Sequence, residues 1–112
     1  MELHKELRCG TLIISVLADR IDAAAALQFK DAMRQATDHG PDRILLDLQR
    51  VDFVDSSGLG AIVGSMKQLP EGKSLELGAL TPTVSKVFQL TRMDTIFAIH
   101  KTLNDAFSEE EV

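Results

Sequence analysis

The chain has 112 residues, 45% of them apolar and 26% charged, and carries a net charge of −5. That length suits one domain with a single core across residues 1–112. No apolar run approaches the ~18 residues of a membrane span, and Met1 to Gly10 lacks the order of a signal peptide, so a cytoplasmic chain without membrane insertion is expected. Lys and Arg are scattered without a stripe, and direct nucleic-acid binding, which rests on neutralising phosphates, is not expected.

The single cysteine, Cys9, rules out an internal disulfide and a multi-cysteine zinc site, and reads as a small core filler. His4, His39 and His100 stand far apart and show no metal-ligand spacing, so no metal or cofactor is implied.

Leu3 to Leu7 reads as a weak strand and the β-branched Thr11 to Leu17 as a strong one. Arg8-Cys9-Gly10 between them predicts a hairpin turn and hence an antiparallel pair. Asp22 is placed to cap a helix running to about Thr37 or Asp38, with Ala26, Phe29, Met33 and Ala36 on its apolar face and Gly40-Pro41 as its stop. Arg43 to Leu48 reads as a strand covered on both faces. Val51 to Val54 leads to Asp55-Ser56-Ser57 and a second helix ending near Leu69. Ser74 to Ala79 is the next strand, and Thr81-Pro82 opens a third helix as cap and first-turn proline, with Val84, Val87 and Phe88 inward. Thr95 to His100 predicts a last strand. Thr102 to about Glu110 predicts a last helix, with a Thr102-x-x-Asp105 cap pair and Leu103, Ala106 and Phe107 facing in. The order implies an α/β domain with a mixed, mainly parallel sheet of four to five strands and about four helices.

The junction Asp55-Ser-Ser-Gly-Leu-Gly60 carries the functional question. A phosphate cradle would need a third glycine or a Gly-Lys-Ser run, and Lys67 comes too late. A catalytic serine needs a base and an orienting group, and the sequence marks neither. Ser56 suits the role of N-cap. A helical wheel puts Leu59, Ile62, Val63, Met66 and Leu69 on the core side and Ser57, Gly60, Ala61, Gly64 and Gln68 opposite. Glycines in a helix interior cost about 1 kcal/mol each relative to alanine. A face this small suits close approach, either by a partner or by neighbouring loops of the same domain. A phosphate on Ser56 or Ser57 would add about −1.5 to −2 charges at its edge.

Val51-Asp-Phe-Val-Asp-Ser-Ser-Gly-Leu-Gly60 closely resembles the signature of the bacterial STAS-domain anti-sigma factor antagonists. Leu17 to Asp22 and Thr81 to Asp94 extend the similarity over nearly the whole chain. The resemblance implies a non-enzymatic partner-switching protein with no cofactor of its own. Ser56 matches the serine phosphorylated by an anti-sigma factor that is an ATP-dependent serine kinase, with Ser57 as the alternative acceptor. The unphosphorylated form binds that kinase and frees the sigma factor, and a metal-dependent serine phosphatase resets it. The same matching makes Asp22 and Asp55 flank the site while Ser57, Gly58, Leu59 and Gly60 begin the docking helix, joined by Ala61, Gly64 and Gln68 of the small-residue face. The pattern is broken at Asp19 and Arg92, where the family commonly has Gly, and at Arg20, which reverses an acidic charge. Other readings are an unphosphorylated STAS scaffold subunit of a signalling or transporter complex, and a small-molecule sensor at the helix N-terminus.

Overall fold

The computed structural model describes residues 1–107. The chain runs β1 (Leu3–Arg8), β2 (Thr11–Val16), β3 (Arg20–Ile21), α1 (Ala26–Thr37), β4 (Arg43–Asp47), β5 (Phe53–Val54), α2 (Ser56–Lys67), β6 (Ser74–Gly78), α3 (Pro82–Leu90) and β7 (Ile99–His100). Short 3-10 turns cover Met93–Thr95 and Asn104–Phe107.

The expected hairpin forms, with Arg8 opposite Thr11. Its two turn residues, Cys9 and Gly10, have φ of 51° and 73°, the positive values that match a two-residue turn to the twist of its strands. Cys9 is therefore exposed at the turn, not the core filler its chemistry suggested. Strands β4, β6 and β7 add in parallel beyond β2, giving one five-stranded mixed sheet in the order β1-β2-β4-β6-β7. Strands β3 and β5 form a separate parallel pair, Arg20 with Phe53 and Ile21 with Val54.

The strands sort their side chains by twos. Leu12, Ile14, Ile44, Leu46, Leu75 and Leu77 meet Phe29 and Met33 of α1, Ile62 of α2, and Val84 and Phe88 of α3. Full burial of each such side chain contributes about 1.5–3 kcal/mol. On the other sheet face Ile13 and Leu45 are covered by Leu103, Ala106 and Phe107. Arg43 ties this cover down: it grips both Glu76 oxygens at 2.8 and 2.9 Å and donates to the Ala106 carbonyl at 2.6 Å. His100 Nε2 lies 2.7 Å from Glu76 Oε1. The Arg43 hydrogen bonds hold the Glu76 carboxyl below its usual range, against burial, which pushes it up; the His100 contact also lowers it.

Four further expectations are corrected. Helix α1 starts at Ala26, after a turn at Ala23–Ala25, so Asp22 does not cap it; Asp22 Oδ1 instead accepts the Ala25 N–H at 3.2 Å ahead of the helix. Ser56 is not the cap of α2, as described below. The last strand is only Ile99–His100, because Arg92 adopts φ 63° and Thr95 is drawn into the turn that follows it. The expected fourth helix is, within the described residues, the four-residue turn Asn104–Phe107; its extension to Glu110 lies outside them. The Thr102–Asp105 cap pair does form: Asp105 N–H donates to Thr102 Oγ1 at 3.1 Å and Thr102 N–H to Asp105 Oδ2 at 3.2 Å. The Thr81 cap forms too, with Pro82 in the first turn; Thr81 Oγ1 accepts the Val84 N–H at 3.4 Å and donates to the Val51 carbonyl at 2.8 Å.

Candidate functional site

The β3–β5 pair brings two loops side by side, one entering at Asp22 and the other at Asp55. Asp55 has extended backbone and caps α2: its Oδ1 accepts the Gly58 N–H at 2.8 Å. Its Oδ2 accepts the Ala23 N–H at 3.1 Å, so one carboxylate ties the α2 N-terminus to the loop before α1. Asp ranks with Ser as an N-cap; the residue with an amide three positions on to receive is Asp55, and Ser56 moves inside as the first helical residue. Ser56 and Ser57 are exposed, and capping makes no demand on either hydroxyl.

Gly58 is buried for a local reason. A Cβ there would stand 1.8 Å from the Ile21 carbonyl oxygen, so α2 can pass β3 only with glycine at this point. Gly60, by contrast, is exposed, and a Cβ there meets nothing within 4 Å among the described residues. The packing of the described residues gives no reason for a glycine at that position.

The remainder of the small-residue face is partly covered by α1. The Lys30 stem lies within contact of a Gly64 Cβ position, at 3.2 Å, and Gln68 Nε2 donates to the Lys30 carbonyl at 3.0 Å. Ala61 is only 3% exposed and Leu59 9%. The face is thus divided: its first turn, with Ser56, Ser57 and Gly60, is open, while its later turns pack within the domain. The core side also takes in Ser65, whose Oγ donates to the Ala61 carbonyl at 2.8 Å.

Two features escaped the sequence reading. Phe53 is 41% exposed, and the Arg20 guanidinium stacks 4.8 Å from its ring centroid while Arg20 Nε pairs with Asp22 Oδ2 at 3.4 Å. Parallel registration of Arg20 with Phe53 causes this, and a two-residue ladder leaves no periodic signal to find. Asp47 is buried at the end of β4 and fully engaged, accepting from Ser15 Oγ at 2.8 Å and from the Gln49 amide and side chain at 3.0 Å. It anchors the turn toward β5, and its place at the end of an apolar strand was the available clue.

Among the described residues no group of three or more His, Cys, Asp or Glu is placed to hold a metal ion. No described helix is long and apolar enough to cross a membrane. The arrangement places an exposed Ser56 hydroxyl at the start of α2, next to Asp55 and the loop after Asp22 that Asp55 holds.

Comparison with known proteins identifies the family. The family model described as "STAS domain" matches residues 3–106. The chain is 32% identical over 84 residues to the anti-sigma-B factor antagonist of Listeria monocytogenes, covering 74% of each chain. The crystal structure of an anti-sigma factor antagonist from Mycobacterium paratuberculosis superposes with a TM-score of 0.84 at 25% identity, covering 96% of this chain and 92% of that one. The unphosphorylated form of the anti-sigma factor antagonist SpoIIAA gives 0.73 at 26% identity, covering 98% and 96%. The chain belongs to the STAS-domain anti-sigma factor antagonist family.

Proposed function

We propose that this chain is an anti-sigma factor antagonist whose binding to an anti-sigma factor is ended by phosphorylation of Ser56. The observation that carries the reading is the handover of the cap to Asp55, which leaves Ser56 exposed at the first position of α2. Unmodified, the open first turn of α2, with Ser57 and Gly60 and the flanking Asp22 and Asp55, docks a serine kinase of the anti-sigma type, and the sigma factor is released. That kinase then moves the γ-phosphoryl group of ATP to Ser56 Oγ as the hydroxyl proton leaves and ADP departs. A serine phosphatase returns the hydroxyl by hydrolysis to inorganic phosphate. The chain supplies the acceptor and no catalytic group.

The physical basis is asymmetric. In the free domain a phosphate on Ser56 sits at the positive end of α2 and is tolerated. In the complex the partner must desolvate that charge beside Asp22 and Asp55. A penalty of about 3–4 kcal/mol weakens binding a few hundredfold. Support for the role comes from relatives named as anti-sigma factor antagonists and from a relative whose structure is described by its phosphorylation state.

The test is incubation with the anti-sigma kinase and ATP, followed by mapping of the modified residue by mass spectrometry. Ser56 should carry the phosphate and Ser56→Ala should remain unmodified. Phosphate elsewhere, or none, contradicts the assignment.

A further inference from the structure

Among the described residues strand β1 is an edge of the main sheet, paired on one side only. The Leu17 N–H donates to the Glu2 carbonyl at 3.2 Å, so even-numbered positions of this strand turn their backbone groups toward β2. In an antiparallel ladder the alternate residues face away, which leaves the N–H and C=O groups of Leu3, Lys5 and Leu7 directed outward. The side chains of these same residues share the sheet face that α1 covers.

Between β1 and α1 lie two adjoining grooves of about 420 and 390 Å³, which share Lys5 and Ala36. Together they make one trough beside the strand, walled by Leu3 and Leu7 on one side and Ala32 and Ala36 on the other. Leu7 is 70% exposed. Among these alternating β1 side chains Lys5 supplies the charge, midway between two leucines.

We propose that the free edge of β1 docks an extended peptide segment of a partner protein, bearing an acidic residue opposite Lys5 and apolar residues two positions before and after it. Added-strand recognition draws affinity from main-chain hydrogen bonds and specificity from alternate side chains. Three such side chains of the incoming strand point toward the trough, where they meet Leu3, Lys5 and Leu7. Charge decides against a second copy of this chain as the occupant. Two β1 strands paired about Lys5 through their outward groups would set one ammonium against the other, a known use of edge lysines against self-pairing. None of the residues lining the trough belongs to the α2 site, so this surface stands whether or not Ser56 is phosphorylated.

The test uses the full chain, labelled for NMR, and two synthetic peptides, acetyl-Gly-Thr-Val-Thr-Glu-Thr-Val-Thr-Gly-amide and the same peptide with Lys for Glu. The glutamate peptide should shift the amides of Leu3, Lys5 and Leu7 and bind about tenfold more tightly than the lysine peptide. Lys5→Glu, an exposed substitution, should reverse that order. No shifts along β1 at millimolar peptide, shifts centred elsewhere, or equal binding of the two peptides would overturn the proposal. So would a dimer by sedimentation in which the β1 amides become protected from exchange.

Discussion

Asp55 Oδ2 accepts the Ala23 backbone N–H at 3.1 Å across 32 residues of chain, while the other oxygen of the same carboxylate caps α2 at Gly58. The two loops that border Ser56 are thereby held by one side chain. Asp55→Ala should lower stability by about 1–2 kcal/mol, the cost of a lost cap with an added link. Asp55→Asn, which keeps an accepting oxygen, should cost less. Urea unfolding of the two variants checks the order.

Gly58 and Gly60 look alike in the sequence and should behave oppositely. Gly58→Ala drives a Cβ to 1.8 Å from the Ile21 carbonyl oxygen, so the helix must shift, and a loss of about 1–3 kcal/mol or more is expected. Gly60→Ala meets open space and should gain about 1 kcal/mol from helix propensity. If the first turn of α2 is the docking surface, that stabilised variant should bind its partner less well. Thermal melts and a titration with the anti-sigma kinase separate the two effects.

Arg92 holds φ at 63° where α3 gives way to the following turn. Left-handed backbone costs a non-glycine residue about 1–2 kcal/mol. Arg92→Gly should therefore raise stability, by about 1 kcal/mol after the added freedom of the unfolded glycine is counted. The denaturation midpoint reads this directly.

The lowered pKa of Glu76, caused first by its hydrogen bonds from Arg43, has a defined sign. A carboxyl whose folded pKa lies below its unfolded value adds stability above the unfolded value, near 4.5. That contribution is lost as pH falls through the folded pKa. Glu76→Gln should flatten the acid limb of the stability profile and loosen the Ala106–Phe107 cover that Arg43 also holds. Urea midpoints measured from pH 7 down to pH 3 provide the comparison.

Elements with long periodic signals or paired caps could be read from the sequence. The β1–β2 hairpin, the apolar run of β4, and α3 behind Thr81-Pro82 all stand where expected. Errors arose where two residues compete for one role. Asp55 and Ser56 are both good caps, and the chain chooses by leaving Asp55 extended to take the Gly58 N–H, while the Leu59 N–H that Ser56 would need goes to the Asp55 carbonyl. Asp22 does accept an amide three residues on, as a cap would, yet the chain spends Ala23–Ala25 in a turn before α1 begins. The β3–β5 pair is set by tertiary register, as two-residue strands must be, so Arg20 on Phe53 could not be anticipated. The small-residue face of α2 was visible, but its division was not, because covering Gly64 depends on where Lys30 of α1 falls.

The central claim is that charge on Ser56 ends docking on α2. Its most direct measurement is calorimetric titration of the anti-sigma kinase with the unmodified chain and with the chain carrying phosphoserine at residue 56. The account predicts tight binding of the first and a Kd weaker by a few hundredfold for the second. Equal affinity of the two forms would contradict it.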